Sequence, residues 1–326
     1  MTKVRWGFLS TAHINRLVLA GARESDRVDV VAVASRDRER AEAYARENGI
    51  ERAHASYEAL LADPDVEAVY ISLPNSLHVE WSIRALQAGK HVLCEKPLSR
   101  RSADVERAFD PAEQAGLVLM EAFMYRHNPQ TARLLELVDS GAIGTLQLVR
   151  AAFSFPLADA ANVRLNAALD GGSLMDVGCY CVSGARLLAG EPERVYGEQV
   201  VGETGVDVLF ACTMRFPGGV VAQFDSGLRM PNRDELEAVG DEGSVFLDDP
   251  WHCRTPVLRL RREGGDEEIS VDAADSYRLE LENLSDAIRG DAAPLLGRED
   301  AVAQARAIEA LYRSAEEGRP VTLSGS

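Results

Sequence analysis

The feature that most constrains this chain is a regular alternation over its first 123 residues. Short apolar, β-branched runs take turns with helical patterns that stop at glycine. Residues 4–9 precede a helical pattern from about 14 to 22. Residues 28–34 precede 38–48 with Gly49 as the stop, and 68–73 precede 79–88 with Gly89 as the stop. The run 91–94 precedes 102–115, where Pro111 removes a backbone donor and is expected to bend or split the helix. Residues 118–122 close the series. Unbroken apolar strands are buried on both faces, and helices between them connect a parallel sheet.

After Met124 the pattern changes. A helical stretch, 130–140, ends at Gly141. Strand-like runs follow at 146–155, 195–201, 206–216, 220–226, 236–239, 245–247 and 257–260. Pro217-Gly218-Gly219 between two of them is a hairpin signal. Helical patterns return at 277–288 and 299–316. The fold expected is α/β: a Rossmann-type parallel-sheet domain over 1–123, then an α+β domain over 124–326 with a large mixed or antiparallel open sheet. A length of 326 residues suits two domains.

Composition narrows the function classes. Hydrophobic residues at 46% and charged residues at 27% are globular values. The net charge of −17 repels phosphate backbones and anionic lipid, so no nucleic-acid or membrane partner is expected. No run of about 20 apolar residues exists to span a bilayer. The first residues do not form a secretory signal, and the five cysteines include no C-x-x-C pair. Reduced thiols and a cytoplasmic location are the expectation. Cys179 and Cys181, two apart, point to different faces of a helix, and no metal site is expected.

The chemistry-bearing loops lie at strand ends. Gly7-Phe8-Leu9-Ser10-Thr11-Ala12-His13-Ile14 leaves the first strand and opens the first helix, the context required of a dinucleotide loop. Its glycine pattern is eroded, because Ser10 and Ala12 stand where glycines are usual. An ordinary strand-to-helix turn would read the same way. At the end of the second strand a NAD site usually carries an acidic residue for the ribose hydroxyls. Here Ser35-Arg36 stands instead, which suits a 2′-phosphate and favours NADP, with NAD as the alternative. Asp37 is expected to cap the next helix.

Three further segments share the chain with that loop: Leu73-Pro74-Asn75-Ser76-Leu77-His78, Cys94-Glu95-Lys96-Pro97, and Gly171-Gly172-Ser173-Leu174-Met175-Asp176-Val177-Gly178-Cys179-Tyr180. Lys96 is one of only three lysines in the chain. Together these segments resemble the Gfo/Idh/MocA oxidoreductases over the full length. Met120-Glu121-Ala122-Phe123-Met124-Tyr125-Arg126-His127 and Tyr180 resemble its branch of aldose dehydrogenases, dihydrodiol dehydrogenases and deoxysugar ketoreductases. The resemblance implies a cofactor cleft formed by Ser10, Thr11, Ala12, His13, Ile14, Ser35, Arg36, Leu73, Pro74, Asn75, His78, Glu95 and Lys96. It implies Lys96, Asp176 and Tyr180 as the catalytic set, with Tyr125, Arg126 and Arg164 beside Asp176 and Tyr180 at the substrate.

These residue types suit hydride chemistry. Oxidising an alcohol requires removal of the hydroxyl proton, and a free phenol, with a pKa of about 10, is a poor base at neutral pH. An ammonium such as Lys96 stabilises phenolate. Tyr180 would then be the acid/base, Lys96 its tuner, and Asp176 the group that orients the substrate hydroxyl. Many relatives carry His at the Tyr180 position, so proton transfer through Lys96 directly stays open. The i, i+4 spacing of Asp176 and Tyr180 would equally serve a buried Asp–Tyr hydrogen bond. His78 reads as a helix-start cap or a cofactor neighbour, and His127 and His252 have no ligand spacing. The activity expected is an NADP-dependent aldose 1-dehydrogenase acting on D-xylose or a similar sugar. A ketoreductase or trans-dihydrodiol dehydrogenase is the alternative, and a dinucleotide-binding regulator a more distant one. The second half has many strands and few helices, so one sheet face is expected to be buried in a homodimer or homotetramer.

Overall fold

The computed structural model describes residues 2–323. The chain packs as two units. One comprises the residues up to Ser99, Ala103–Met124 and Asp275–Val302; the other comprises Arg100–Ser102, Tyr125–Ala274 and the residues from Ala303 onward.

The first unit is built on six strands: β1 Val4–Phe8, β2 Val28–Ala34, β3 Arg52–His54, β4 Ala68–Ile71, β5 His91–Glu95 and β6 Leu119–Ala122. They pair in parallel in the order β3-β2-β1-β4-β5-β6. β4 and β6 are buried at every residue, as the continuous apolar runs require. The order reverses between β1 and β4, which is where open sheets of this kind hold ligands. Asp37 caps helix Arg38–Asn48 by accepting from Arg40 N at 3.0 Å, and Gly49 ends it at φ 67°.

Three features depart from the sequence reading. β3 and the short helix Tyr57–Leu61 have no counterpart in it, because Arg52-Ala53-His54 contains no apolar run. Pro111 does not split its helix, which runs unbroken from Ser102 to Ala115. The buried side chains of Val105, Ala108, Phe109 and Ala112 hold the turns on both sides of the missing donor. The linear division at residue 124 is corrected downstream, where Asp275–Val302 packs with the first unit. Helix Ser276–Arg289 buries Leu281 and Leu284 there, and Trp6 Nε1 donates to Ser285 Oγ at 3.3 Å. It approaches helix Asn15–Arg23 so closely that a Cβ on Gly21 would lie 2.7 Å from the Arg278 amide nitrogen.

The second unit is a nine-stranded sheet. Its strands are β7 Leu146–Pro156, β8 Arg194–Val201, β9 Asp207–Arg215, β10 Val221–Gly227, β11 Arg229–Gly240, β12 Gly243–Asp248, β13 Val257–Arg262, β14 Gly265–Ser270 and β15 Val321–Thr322. The order is β14-β13-β12-β11-β7-β10-β9-β8-β15, antiparallel except for β7 beside β10. Pro217-Gly218-Gly219 makes the expected hairpin, with positive φ at both glycines. One sheet face carries helix Cys179–Ala189, which lies across β7, β10 and β11. The five cysteines are buried and none is in a disulfide. Among the described residues no helix is long and apolar enough to cross a membrane.

Candidate active site

In the first unit the loops leaving β1, β2, β4 and β5 carry the residues singled out above, and buried hydrogen bonds hold these loops. Ser72 Oγ donates to Asn15 Oδ1 at 2.6 Å and so accepts from Ser10 Oγ at 2.7 Å. Ser10 Oγ also accepts from Ala12 N at 3.0 Å, and Asn15 Nδ2 donates to Ser10 O at 2.8 Å. Ser10 thus points inward and shapes the turn, while Thr11, Ala12 and Ile14 are half-buried and His13 is exposed. Ile14 has no side-chain capping bond, and the amides of Thr11, His13 and Ile14 make no hydrogen bond among the described residues. Helix-start donors in this state fit a pyrophosphate. Asn15 and Ser72 were missed by sequence reasoning; buried polar residues within a small-residue loop give no pattern to find them by.

Ser35 is buried, and its Oγ accepts from Asp37 N at 3.2 Å. Arg36 is exposed beside the Tyr57 hydroxyl. The Asp37 carboxylate is engaged at Arg40, so no free acid stands directly after β2, and the donors there fit a phosphate.

Leu73 is buried and Pro74 and Asn75 are half-buried, leading into helix His78–Gln87. His78 is fully buried. Its Nδ1 lies 2.9 Å from the Pro97 carbonyl oxygen and its Nε2 2.8 Å from that of Leu73. The ring therefore ties the loop after β4 to the one after β5. Glu95 Oε1 accepts from the Tyr70 hydroxyl, and burial followed by that carboxylate pushes the Tyr70 phenol well up. Glu121 Oε1 accepts from Leu98 N at 2.7 Å and holds the chain beyond Pro97. Lys96, half-buried, sits between these two ties.

In the second unit Asp176 lies on the wide turn Leu174–Gly178 and Tyr180 on the helix that continues it. Arg164 Nε donates to Asp176 Oδ2 at 2.7 Å. Arg126 is half-buried on the short turn Met124–His127. The Tyr180 ring is 6% exposed and packs at 5.9 Å from Tyr125, 5.5 Å from Phe153 and 6.0 Å from Trp251. Tyr125 is buried, with its hydroxyl 2.7 Å from Ser183 Oγ. Trp251 Nε1 donates to Ala152 O at 3.2 Å.

A charged cluster absent from the sequence reading backs this wall. His252 meets Phe153 edge-on at 5.5 Å, and its Nδ1 lies 2.6 Å from Asp234 Oδ2 and 3.5 Å from Asp249 Oδ1. Asp249 also accepts from Arg254 Nη2 at 2.7 Å and from Arg254 N at 2.6 Å. Burial alone would lower the His252 pKa; the hydrogen bonds to Asp234 and Asp249 outweigh it and push it up to about 9. Burial would raise Asp249, but His252 and Arg254 hold its carboxyl well below the usual range. The three side chains have metal-ligand types and proximity, yet a protonated imidazole and a guanidinium occupy the carboxylates. The cluster is an ionic clamp on the Trp251 loop. Asp249–His252 spacing is visible in the sequence, but Asp234 lies 18 residues away and arrives only through the β11–β12 pairing.

The two units, with dinucleotide-type loops in one and an Asp–Tyr helix start in the other, define a two-part oxidoreductase. The comparisons agree. A model described as an oxidoreductase family with NAD-binding Rossmann fold matches residues 5–123, and the GFO/IDH/MocA C-terminal domain matches 131–246. A D-xylose 1-dehydrogenase (NADP(+)) of Haloferax volcanii is 40% identical over 98% of this chain and 99% of its own length. The solved aldose-aldose oxidoreductase of Caulobacter crescentus matches with a TM-score of 0.92 at 30% identity, covering 99% of this chain and 100% of that one. A 3-ketoreductase of Actinomadura kijaniata, solved with NADP and TDP-benzene, matches at 0.91 and 31% identity, covering 96% and 98%. The chain belongs to the Gfo/Idh/MocA oxidoreductase family.

The ionic clamp predicts a pH-dependent stability. With His252 raised from about 6.5 to about 9, its contribution is complete below pH 6.5 and is lost as pH rises through 9. His252→Gln should lower stability by about 1–2 kcal/mol at pH 7, after discounting for solvent. It should cost almost nothing at pH 10. Thermal midpoints of both proteins across this range check it, and equal deficits at the two pH values would contradict it.

Proposed function

We infer that the protein is an NADP-dependent sugar oxidoreductase, most specifically an aldose 1-dehydrogenase that takes D-xylose or a close analogue. The observation that carries this reading is the Arg164–Asp176 pair on the turn leading to Tyr180, whose ring lies among Tyr125, Phe153 and Trp251. Charged groups that bind hydroxyls, set beside aromatic rings that bind C–H faces, suit a sugar. The Haloferax volcanii D-xylose dehydrogenase, similar over almost the whole length, supports the substrate class and the NADP preference.

Thr11, His13 and Ile14 would hold the pyrophosphate, Ser35 and Arg36 the 2′-phosphate, and Leu73, Pro74, Asn75, Glu95 and Lys96 the nicotinamide half. When bound, NADP supplies the hydride acceptor. Tyr180 takes the proton from the reacting hydroxyl. Lys96 supplies the positive charge that steadies oxygen anions formed in that transfer, and Asp176 accepts a hydrogen bond from the sugar and orients it. Tyr125 is too buried to do more than shape the wall, whereas Arg126 and Arg164 have exposure enough to meet substrate.

Reduction of NADP+ at 340 nm against D-xylose, other aldoses and a trans-dihydrodiol tests the substrate class. NADPH oxidation with a 3-ketosugar nucleotide tests the reductive alternative, which the Actinomadura kijaniata enzyme favours. With the best substrate, Tyr180→Phe should lower kcat by about 10²-fold and Lys96→Ala by at least as much, with little change in NADP binding. The two losses should not add in the double variant. A wild-type kcat and pH profile for Tyr180→Phe would leave Lys96 as the proton-transfer group.

Arg36→Ala should weaken NADP+ binding by about 1–3 kcal/mol and leave NAD+ binding nearly unchanged. Isothermal titration with both nucleotides measures this, and equal losses would remove the 2′-phosphate assignment.

The sheet face opposite helix Cys179–Ala189 carries a groove of about 470 Å³ lined by Arg150, Gln223, Asp225, Arg233 and Glu237 among others. Its mixed charges, including the Arg233–Asp225 pair at 2.5 Å, suit a second copy of the same face. Light scattering at micromolar protein should give at least a dimer mass at low and high salt; a monomer mass in both would refute this.

A further inference from the structure

We propose that Asp207, the first residue of β9, is a positioning residue that sets the turn carrying Asp176 and Tyr180. This proposal rests on the catalytic reading of those two side chains. Asp207 is 3% exposed. Its Oδ2 accepts from Leu174 N and from Ser173 Oγ, both at 2.7 Å, and its Oδ1 accepts from the Tyr312 hydroxyl at 2.8 Å. Ser173 Oγ lies 3.2 Å from Ser226 Oγ on β10. The start of the turn is therefore pinned to two neighbouring strands by side chains.

The arrangement also explains the two glycines ahead of Ser173. A Cβ on Gly172, whose φ is +125°, would lie 2.2 Å from Asp207 Oδ1, and one on Gly171 would lie 2.4 Å from the Arg164 carbonyl oxygen. Side chains at either place would displace the carboxylate or the loop bearing Arg164. Gly172 N donates to that carbonyl at 2.9 Å, and Asp176 N to Gly172 O at 2.9 Å. Gly172, Asp176 and Arg164 thus form one hydrogen-bonded ring that closes at the Arg164–Asp176 ion pair, and Asp207 holds Ser173 and Leu174 within the same turn. Arg100 lies over the Tyr312 ring at 4.1 Å and 3.8 Å from Asp170, which steadies the other end.

Further along the same segment Gln304 Nε2 donates to Cys179 O at 2.8 Å, but the first amide of the turn is held by Asp207. Ser173, ahead of the turn, makes no side-chain capping bond to it, so Asp207 reaches in from β9 and satisfies the Leu174 donor. Removing the carboxylate leaves a buried N–H unpaired and frees the turn to shift. Misplacing a reacting group by about 1 Å costs on the order of 10²-fold in rate.

The test compares Asp207→Ala with Asp207→Asn, using D-xylose with NADP+ for turnover and hydrogen exchange by mass spectrometry on the intact chain. An asparagine oxygen still accepts from Leu174 N and Ser173, and its amide can face the Tyr312 hydroxyl, which also accepts. Asp207→Ala should lower kcat by about 10²-fold with NADP+ binding unchanged, and speed exchange over residues 173–180 but not over 4–34. Asp207→Asn should restore kcat to within about 3-fold and restore protection. Wild-type turnover and exchange in Asp207→Ala would overturn the proposal, as would an Asp207→Asn protein as impaired as the alanine variant. Tyr180→Phe run alongside separates the two readings. A loss there without one in Asp207→Ala defeats only the positioning role, whereas a normal Tyr180→Phe defeats the catalytic reading while the exchange data still judge Asp207.

Discussion

A parallel sheet buried on both faces can meet a ligand only at the ends of its strands. The candidate site residues of the first unit all follow from that constraint. β1, β2, β4 and β5 end in loops that carry Ser10–Ile14, Ser35-Arg36, Leu73–His78 and Glu95-Lys96, on the side where the strand order reverses. Loops at such an edge need internal support, because any buried polar group left unpaired costs about 1–3 kcal/mol. The Ser10–Ser72–Asn15 network, the His78 ring between two carbonyls and the Tyr70–Glu95 contact supply it.

The second unit solves the same problem by a different route. Its candidate reactive groups, Asp176 and Tyr180, stand at the beginning of a helix laid on a largely antiparallel sheet, and strand side chains reach across to hold that beginning. Asp207 does this from β9, and the His252 clamp holds the Trp251 wall from β11 and the loop after β12. Both devices are buried charges or carboxylates with nearly every lone pair engaged, the condition under which such groups are tolerated. The glycines at 171 and 172 make room for one of them.

Much of this was legible in advance, and the reasons are local. Period and punctuation marked β1, β2, β4, β5 and β6, because a doubly buried strand is an unbroken apolar run and the helices after β2 and β4 stop at Gly49 and Gly89. The Pro217-Gly218-Gly219 hairpin was readable for the same kind of reason, whereas the Cys94–Pro97 and Gly171–Tyr180 segments stood out through their resemblance to a known family. β3 was not, since Arg52-Ala53-His54 borrows its strand geometry from β2. Pro111 does not split its helix, because packing of the turns on both sides outweighs the local penalty. Helix Ser276–Arg289 was found, but its unit was not, since a helix pattern says which face is buried and not against what. Asp207, Asp234 and Tyr312 were invisible because their roles come from strand pairings and helix contacts far apart in sequence.

The central claim is hydride transfer between an aldose C1 and a nicotinamide bound at the strand ends of the first unit. The most direct measurement is the isotopic mass of the nucleotide produced from NADP+ and D-xylose deuterated at C1. The account predicts NADPH one mass unit heavier than that from unlabelled sugar, with a slower rate for the labelled one. Turnover that leaves the nucleotide unlabelled would contradict it.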